Sequence, residues 1–426
     1  MQRKTESRIE MCITRNKQLI ENFFSLSFLN ALNVLLPLVT LPYILHVVGK
    51  VNYGVYSYVY AIIQYVILFS TYGFNFSVTK QISQYRDDTL KVSRIYSTVT
   101  VCKTLIALTL SSVLLLCARW VFKDTISTWM FVYGLGMIIG DVLTPVWLFQ
   151  GMEKMKYMTI VNASSKILFT ILIFLVVRES DDFNILILLN SCGYLLAGAL
   201  SLVLVYRQFH LRLHRTTWSD ILLQMKEGSA VFGSTFGMNL YRNANIIILK
   251  QFVSDDLVGL YSAAEKVVKG FQSLISPAAQ ALFPHLSLRF KGQPVKENMR
   301  LLRKIALPFT AVVLAVTIGV YIFAPLISDI LCGKEFTACV PLIRIMTLVI
   351  LFGEINYLVG IVGLINMDGQ HYFFRSVLVT GVFSVVFMLL TTPLFGPMAA
   401  AWAMSLSEVL LFLLCLLSIY RINIHA

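Results

Sequence analysis

The chain has 426 residues, 57% of them hydrophobic and 13% charged, with a mean hydropathy of +0.76. Soluble domains run at roughly 45–50% apolar and about 25% charged residues. This composition therefore excludes a cytosolic enzyme and a disordered chain. With about 20 residues consumed by each membrane crossing, it also excludes a large aqueous module. The net charge of +13, from 35 Lys+Arg against 22 Asp+Glu, fits basic cytoplasmic loops in so apolar a chain, and no nucleic-acid partner is expected.

In chain order, runs long enough to cross a bilayer fall at about 20–46, 53–73, 97–118, 126–150, 157–177 and 183–206, then at 228–250, 257–283, 305–328, 338–363, 372–392 and 397–420. The basic start MQRKTESRIEMCITRNKQLIE leads into the first run without a small-residue cleavage site, so that run reads as a retained span. The seven cysteines are scattered, mostly inside apolar runs, and read as small core residues. Cys332 and Cys339 flank one short loop and would bridge only where that loop faced an oxidising compartment.

An even number of spans puts both termini on one side. That side carries 23 Lys and Arg residues, the other carries six, and six more (Lys103, Lys166, Arg242, Lys266, Lys269, Arg344) lie inside spans. The positive-inside bias predicts cytoplasmic termini. The linker 207–226 and the loop 284–304 alternate apolar and basic residues, as segments do that lie on anionic lipid head groups.

An internal repeat is visible. Val48, Gly54, Tyr56 and Ser57 recur as Val253, Gly259, Tyr261 and Ser262 at a constant offset of 205, each set at the outside loop leading into the second span of its half. A weaker echo pairs Met152, Glu153 and Tyr157 with Met367, Asp368 and Tyr372. Six spans per half make the repeat parallel. The expected fold is an all-α membrane protein of twelve transmembrane helices in two six-helix lobes, 1–215 and 216–426, around a central cavity.

Ionisable groups near the bilayer centre cost at least ~2.5–3.5 kcal/mol each on insertion scales, so they mark a pathway by default. Lys166, Arg242, Lys266 and Lys269 fall near mid-span, whereas Lys103 and Arg344 are five to six residues from a span end, close enough to snorkel outward. Glu265 is spaced to pair with Lys269, which leaves Arg242, Lys266 and Lys166 without obvious partners, and the acids Asp141, Glu354 and Glu408 sit on other spans. A surplus of buried cations suits an anionic head group, since Arg and Lys pair with phosphate oxygens where water is scarce. Asn33, Asn239 and Asn243 suit sugar hydroxyls or helix packing equally well, as does Asn30. The candidate binding residues are thus Arg242, Lys266, Lys269, Lys166, Lys103, Asn239, Asn243 and Asn33, with Asp141, Glu265 and Glu354 as candidates for proton or ion coupling.

Enzyme signatures are missing. No glycine-rich nucleotide loop occurs, and the six histidines show no metal spacing, so neither cofactor nor metal is expected.

The segments LLPLVTLPYILHVVGKVNYGVYSY (35–58), YGFNFSVTKQIS (72–83), PVWLFQGMEKMKYMTIVN (145–162) and GLYSAAEKVVKGFQSLISPAAQALFPHLS (259–287) resemble the Wzx-type O-antigen and capsular-repeat flippases of the polysaccharide-biosynthesis group. That group belongs to a superfamily with the multidrug antiporters and the peptidoglycan-precursor flippase. The resemblance implies a bacterial inner-membrane protein that moves an undecaprenyl-diphosphate-linked oligosaccharide to the periplasmic leaflet by alternating access. It also implies cationic cavity residues, contact with membrane lipids and a place beside the polysaccharide polymerase machinery. The competing readings are a cation-coupled multidrug antiporter of the same architecture, which would want cavity carboxylates, and a non-transporting scaffold, which leaves the buried charges unexplained.

Overall fold

A computed structural model describes residues 2–120, 126–290, 295–367 and 369–425, and all regular elements among them are helical. Physics leaves little choice. In hydrocarbon every backbone N–H and C=O must bond within its own segment, and helices do this without a partner strand. Among the described residues nine helical stretches are long and apolar enough to span a membrane, running from Ala31–Tyr85 to Pro397–Ile422. The protein is a multi-pass membrane protein.

Helix α1 (Gln2–Thr71) breaks at Gly49, whose φ of 76° and ψ of 169° lie in territory open in practice to glycine alone. The break falls between the runs read from sequence as 20–46 and 53–73. After it come α2 (Phe74–Tyr85), α3 (Thr89–Trp120), α4 (Thr128–Leu143), α5 (Val146–Gly151), α6 (Met155–Val176) and α7 (Phe183–Arg207). Next are α8 (Trp218–Asn243), α9 (Asn245–Lys250), α10 (Asp255–Phe290), α11 (Val295–Ile322) and α12 (Ala324–Leu331). The chain ends with α13 (Cys339–Asn356), α14 (Gln370–Phe395) and α15 (Pro397–His425). A π-helical turn over Tyr357–Leu364 extends α13.

The chain divides into two compact units. The first comprises Met1–Leu36, Ile63–Leu175 and Ile185–Phe232. Its core joins Phe74, Val78 and Ile82 of α2 to Tyr96 and Val99 of α3 and Trp147 and Phe149 of α5. Phe209, Leu211 and Ile221 of the basic linker dock into this same core, while Leu213, Trp218, Leu222 and Leu223 stay exposed. The linker thus faces protein on one side and presents exposed apolar residues on the other.

The second unit comprises Pro37–Ile62, Val176–Asn184 and Gly233–Ala426. Its core runs from Tyr241 through Ile355, Val359 and Val377 to Leu411 and Cys415. Here the two copies of the repeat meet. A methyl on Gly54 would strike the carbonyl of Asp255 and the nitrogen of Gly259, and one on Gly259 would strike the carbonyl of Lys50 and the nitrogen of Gly54. Lys50 and Asp255 are themselves 205 apart, so the contact is reciprocal, residue for residue. Cys332 and Cys339 are both buried, free thiols. The side chains of Asn30 and Cys12, and Asp368 of the weaker echo, lie outside the described residues.

Candidate functional site

The second unit holds a polar network assembled from α8, α10, α13 and α15. Arg242 stands in the last turn of α8, just before the chain bends into α9. Its Nε and Nη2 both donate to Glu408 Oε1, at 3.1 and 2.9 Å. The other carboxylate oxygen of Glu408 accepts from Asn356 Nδ2 at 2.7 Å, and the same amide also reaches the Glu408 backbone carbonyl at 2.8 Å. Glu408 is 1% exposed, whereas the Arg242 side chain is 39% exposed. A buried carboxylate is costly unless its oxygens are filled by donors. Both oxygens are filled here, and the side chain that fills one of them is partly exposed, its guanidinium 5.4 Å from the centre of the Tyr241 ring.

Lys269 repeats this arrangement. Its Nζ donates to the Arg242 carbonyl at 3.1 Å, which the end of α8 leaves without a helical partner, and to Asn243 Oδ1 at 3.0 Å. Glu265 Oε1 lies 3.0 Å away, an ion pair lacking hydrogen-bond alignment. Asn243 in turn donates to Asn239 Oδ1 at 2.6 Å, so three of the predicted residues, with Arg242, form one connected group. Again the acid is buried and the cation partly exposed. Ser276 donates to Glu354 Oε1 at 2.6 Å, while Glu354 Oε2 is buried with no hydrogen-bond partner among the described residues. The ammonium of Lys266 lies 6.0 Å from the centre of the Tyr53 ring.

In the first unit one ion pair is closed. Lys103, on α3, is 3% exposed and donates to the Asp141 carbonyl at 2.8 Å and to Asp141 Oδ2 at 2.9 Å, and Thr71 also reaches Oδ2, at 3.4 Å. Lys166, on α6, has no hydrogen-bond or ion-pair partner among the described residues. Asn33 Oδ1 is buried and unbonded there as well.

Three sequence expectations need correction. Arg242 has a partner, Glu408, which is 166 positions away and invisible to local spacing. Lys103 does not snorkel outward, because Asp141 offers two oxygens inside the helix packing. The predicted cationic surplus shrinks in the second unit, where the in-span cations Arg242, Lys266, Lys269 and Arg344 face three in-span acids, Glu265, Glu354 and Glu408. Sequence reasoning nominated neither Glu408 nor Asn356. The one available signal was an acid in the middle of the apolar run 397–420.

The model of the family described as "Polysaccharide biosynthesis protein" matches residues 19–289. The chain belongs to that family. Two relatives bear the name "Putative O-antigen transporter". The one from Escherichia coli (strain K12) is 28% identical over 414 residues, covering 95% of this chain and 97% of the relative. The one from Shigella dysenteriae is 25% identical over 318 residues, covering 74% and 78%. Among solved structures, lipid II flippase MurJ in an inward closed conformation superposes with a TM-score of 0.75 at 12% identity, over 95% of this chain and 90% of that one. An inward-facing multidrug resistance MATE family transporter gives 0.67 at 12%, over 91% and 97%. The family member thus has the fold of the MurJ and MATE transporters, and these relatives are transporters, not enzymes.

Proposed function

We propose that this family member is a flippase that carries an undecaprenyl-diphosphate-linked oligosaccharide from the cytoplasmic to the periplasmic leaflet of a bacterial inner membrane. One observation carries the reading. Arg242 and Lys269 stand on buried carboxylates with their own side chains 39% and 35% exposed, so that each presents a partly open cationic face. A diphosphate can bind such faces with charge-assisted hydrogen bonds without leaving an acid unpaired in the membrane. Asn239 and Asn243, tied to the same group, offer amides to the first sugars. The O-antigen transporter name borne by both relatives supports the same substrate class.

Twelve crossings follow if Ala31–Tyr85 crosses twice and α8 and α10 cross alongside the other candidates. The lobes are then 1–215 and 216–426, and alternating access is movement of one against the other. The reciprocal Gly54–Gly259 contact supports two parallel halves. Both termini are cytoplasmic on the charge bias, which places the substrate-loading side next to the cytoplasmic sugar transferases and the release side next to the polymerase machinery. Among the coupling candidates, Glu354 is best suited to carry a proton, since among the described residues it has no ion-pair partner while Asp141 and Glu265 are engaged by lysines.

The test is complementation of a strain lacking its own repeat-unit flippase, supplied with matching glycosyltransferases. The leaflet location of the lipid-linked repeat is read alongside surface polysaccharide. Restored export that Arg242→Ala abolishes at equal protein abundance is the expected result. Lipid-linked repeats held on the cytoplasmic leaflet by an inserted wild-type protein would overturn the reading. The MATE likeness favours a second reading, export of organic cations, but Arg242 and Lys269 are partly exposed and their partners Glu408 and Glu265 buried, the reverse of what a cationic substrate needs.

A further inference from the structure

A cavity of about 460 Å³ opens on the second unit, nearer the starts of α13 and α15 than Asn356 and Glu408 of the Arg242 network, and is lined by Tyr321, Pro341, Arg344, Ile345, Leu348 and Trp402 among others. Its position can be fixed from the helices that make it. Arg344 is five residues into α13 and Trp402 five into α15, each about 7.5 Å from its helix start, and Tyr321 is the penultimate residue of α11. All three therefore belong to one end of the unit, at the depth where tyrosine and tryptophan gather beneath the head groups. On the charge bias this is the outer-leaflet end.

The wall is apolar and faces outward. Ile318, Tyr321, Ile322 and Trp402 are exposed, as lipid-facing residues are. One charge stands in it. The Arg344 guanidinium lies 5.3 Å from the centre of the Tyr321 ring and makes a long 3.4 Å bond from Nε to the Tyr321 carbonyl. No carboxylate is within ion-pair distance of it among the described residues. An arginine five residues inside a span, laid against an aromatic ring with its terminal nitrogens uncommitted, needs a counter-charge from the membrane side.

We infer that this groove is a binding site for a glycerophospholipid, with the phosphate on the Arg344 guanidinium, the glycerol region against Trp402 and one acyl chain along Ile345 and Leu348. A guanidinium fork matches phosphate oxygens in pairs, and the apolar wall below it offers a chain the surface it would otherwise give to bulk lipid. The site stands apart from the residues proposed for the oligosaccharide carrier and does not depend on that reading.

Full-length protein in detergent, mixed with phosphatidylglycerol or with a neutral diacyl glycolipid of the same chains, tests the site. Native mass spectrometry reads which lipid survives at the highest collision energy. Wild-type protein should retain phosphatidylglycerol roughly tenfold better than the glycolipid, the difference a charge-assisted bond confers. Arg344→Gln should abolish that preference, Arg344→Lys should keep part of it, and Leu348→Trp, which fills the groove and leaves the cation in place, should weaken both lipids. Equal retention of the two lipids by wild-type protein overturns the proposal without recourse to any variant. So does an unchanged preference in Arg344→Gln, and unchanged binding in Leu348→Trp overturns the seat assigned to the acyl chain.

Discussion

Ion pairs in the two units treat charge in opposite ways. In the first, Lys103 and Asp141 satisfy each other at 2.9 Å, with the lysine 3% exposed. In the second, Glu408 and Glu265 are just as deeply placed, but Arg242 and Lys269 remain partly open. A closed pair can be exchanged for apolar residues with little loss, because desolvation consumes most of its Coulomb gain. An open pair keeps a charge available at the cost of holding the acid in place. The difference separates groups that hold helices together from groups that can meet a ligand, although both kinds look alike in the sequence.

That contrast can be broken by experiment. Lys103→Met strands the Asp141 carboxylate and should lower stability by about 3–5 kcal/mol, seen as lost folded protein on size exclusion. The double change Lys103→Met with Asp141→Asn should recover most of it. Arg242→Gln combined with Glu408→Gln, which strands no buried acid, should leave abundance near wild type while export falls at least ~10-fold, the share of a charge-assisted bond. If it lost folded protein as Lys103→Met does, the network of the second unit would be structural too. Gly54→Ala and Gly259→Ala should each cost about 1–3 kcal/mol through overpacking and, because their contact is reciprocal, by similar amounts on thermal unfolding. Lys166→Leu should raise the unfolding temperature, since it removes a cation with no counter-charge.

The smallest effect lies at the start of α8. Thr217 donates to the Asp220 carboxylate through its hydroxyl at 2.6 Å and its backbone N–H at 3.0 Å, and these bonds hold that carboxyl below the ordinary carboxylate value. A depressed pKa contributes stability that is present above the unfolded value of about 3.9 and is lost as the pH falls through the folded one. Amide-exchange protection over 217–222 should therefore be flat from neutral pH to about 5 and fall only below about 4.

Much of the helical pattern was legible because hydropathy over long runs fixes which segments enter lipid. The loop read at 47–52 coincides with the break at Gly49, and the repeat offset of 205 reappears in the paired Gly54–Asp255 and Gly259–Lys50 contacts. Pairings were less legible. The Glu265–Lys269 pair is local and was found from its i,i+4 spacing. The bonds from Arg242 to Glu408 and from Ser276 to Glu354 join separate helices, and no periodicity encodes which helices become neighbours. Nor does the apolar run Tyr357–Leu364 announce its π-helical winding, since its residues would suit an α-helix as well.

The Gly54–Gly259 crossing limits how the second unit can move. With backbone against backbone there is no side-chain layer to shear, so neither helix can slide along the other without opening a gap. What remains is pivoting, as about an axle. Lys269 stands ten residues beyond Gly259 on α10, an arm of about 15 Å. A tilt of about 20° there would swing its ammonium by roughly 5 Å, several times the slack of any hydrogen bond it makes. A contact with almost no freedom of its own can in this way set the stroke of charges far from it.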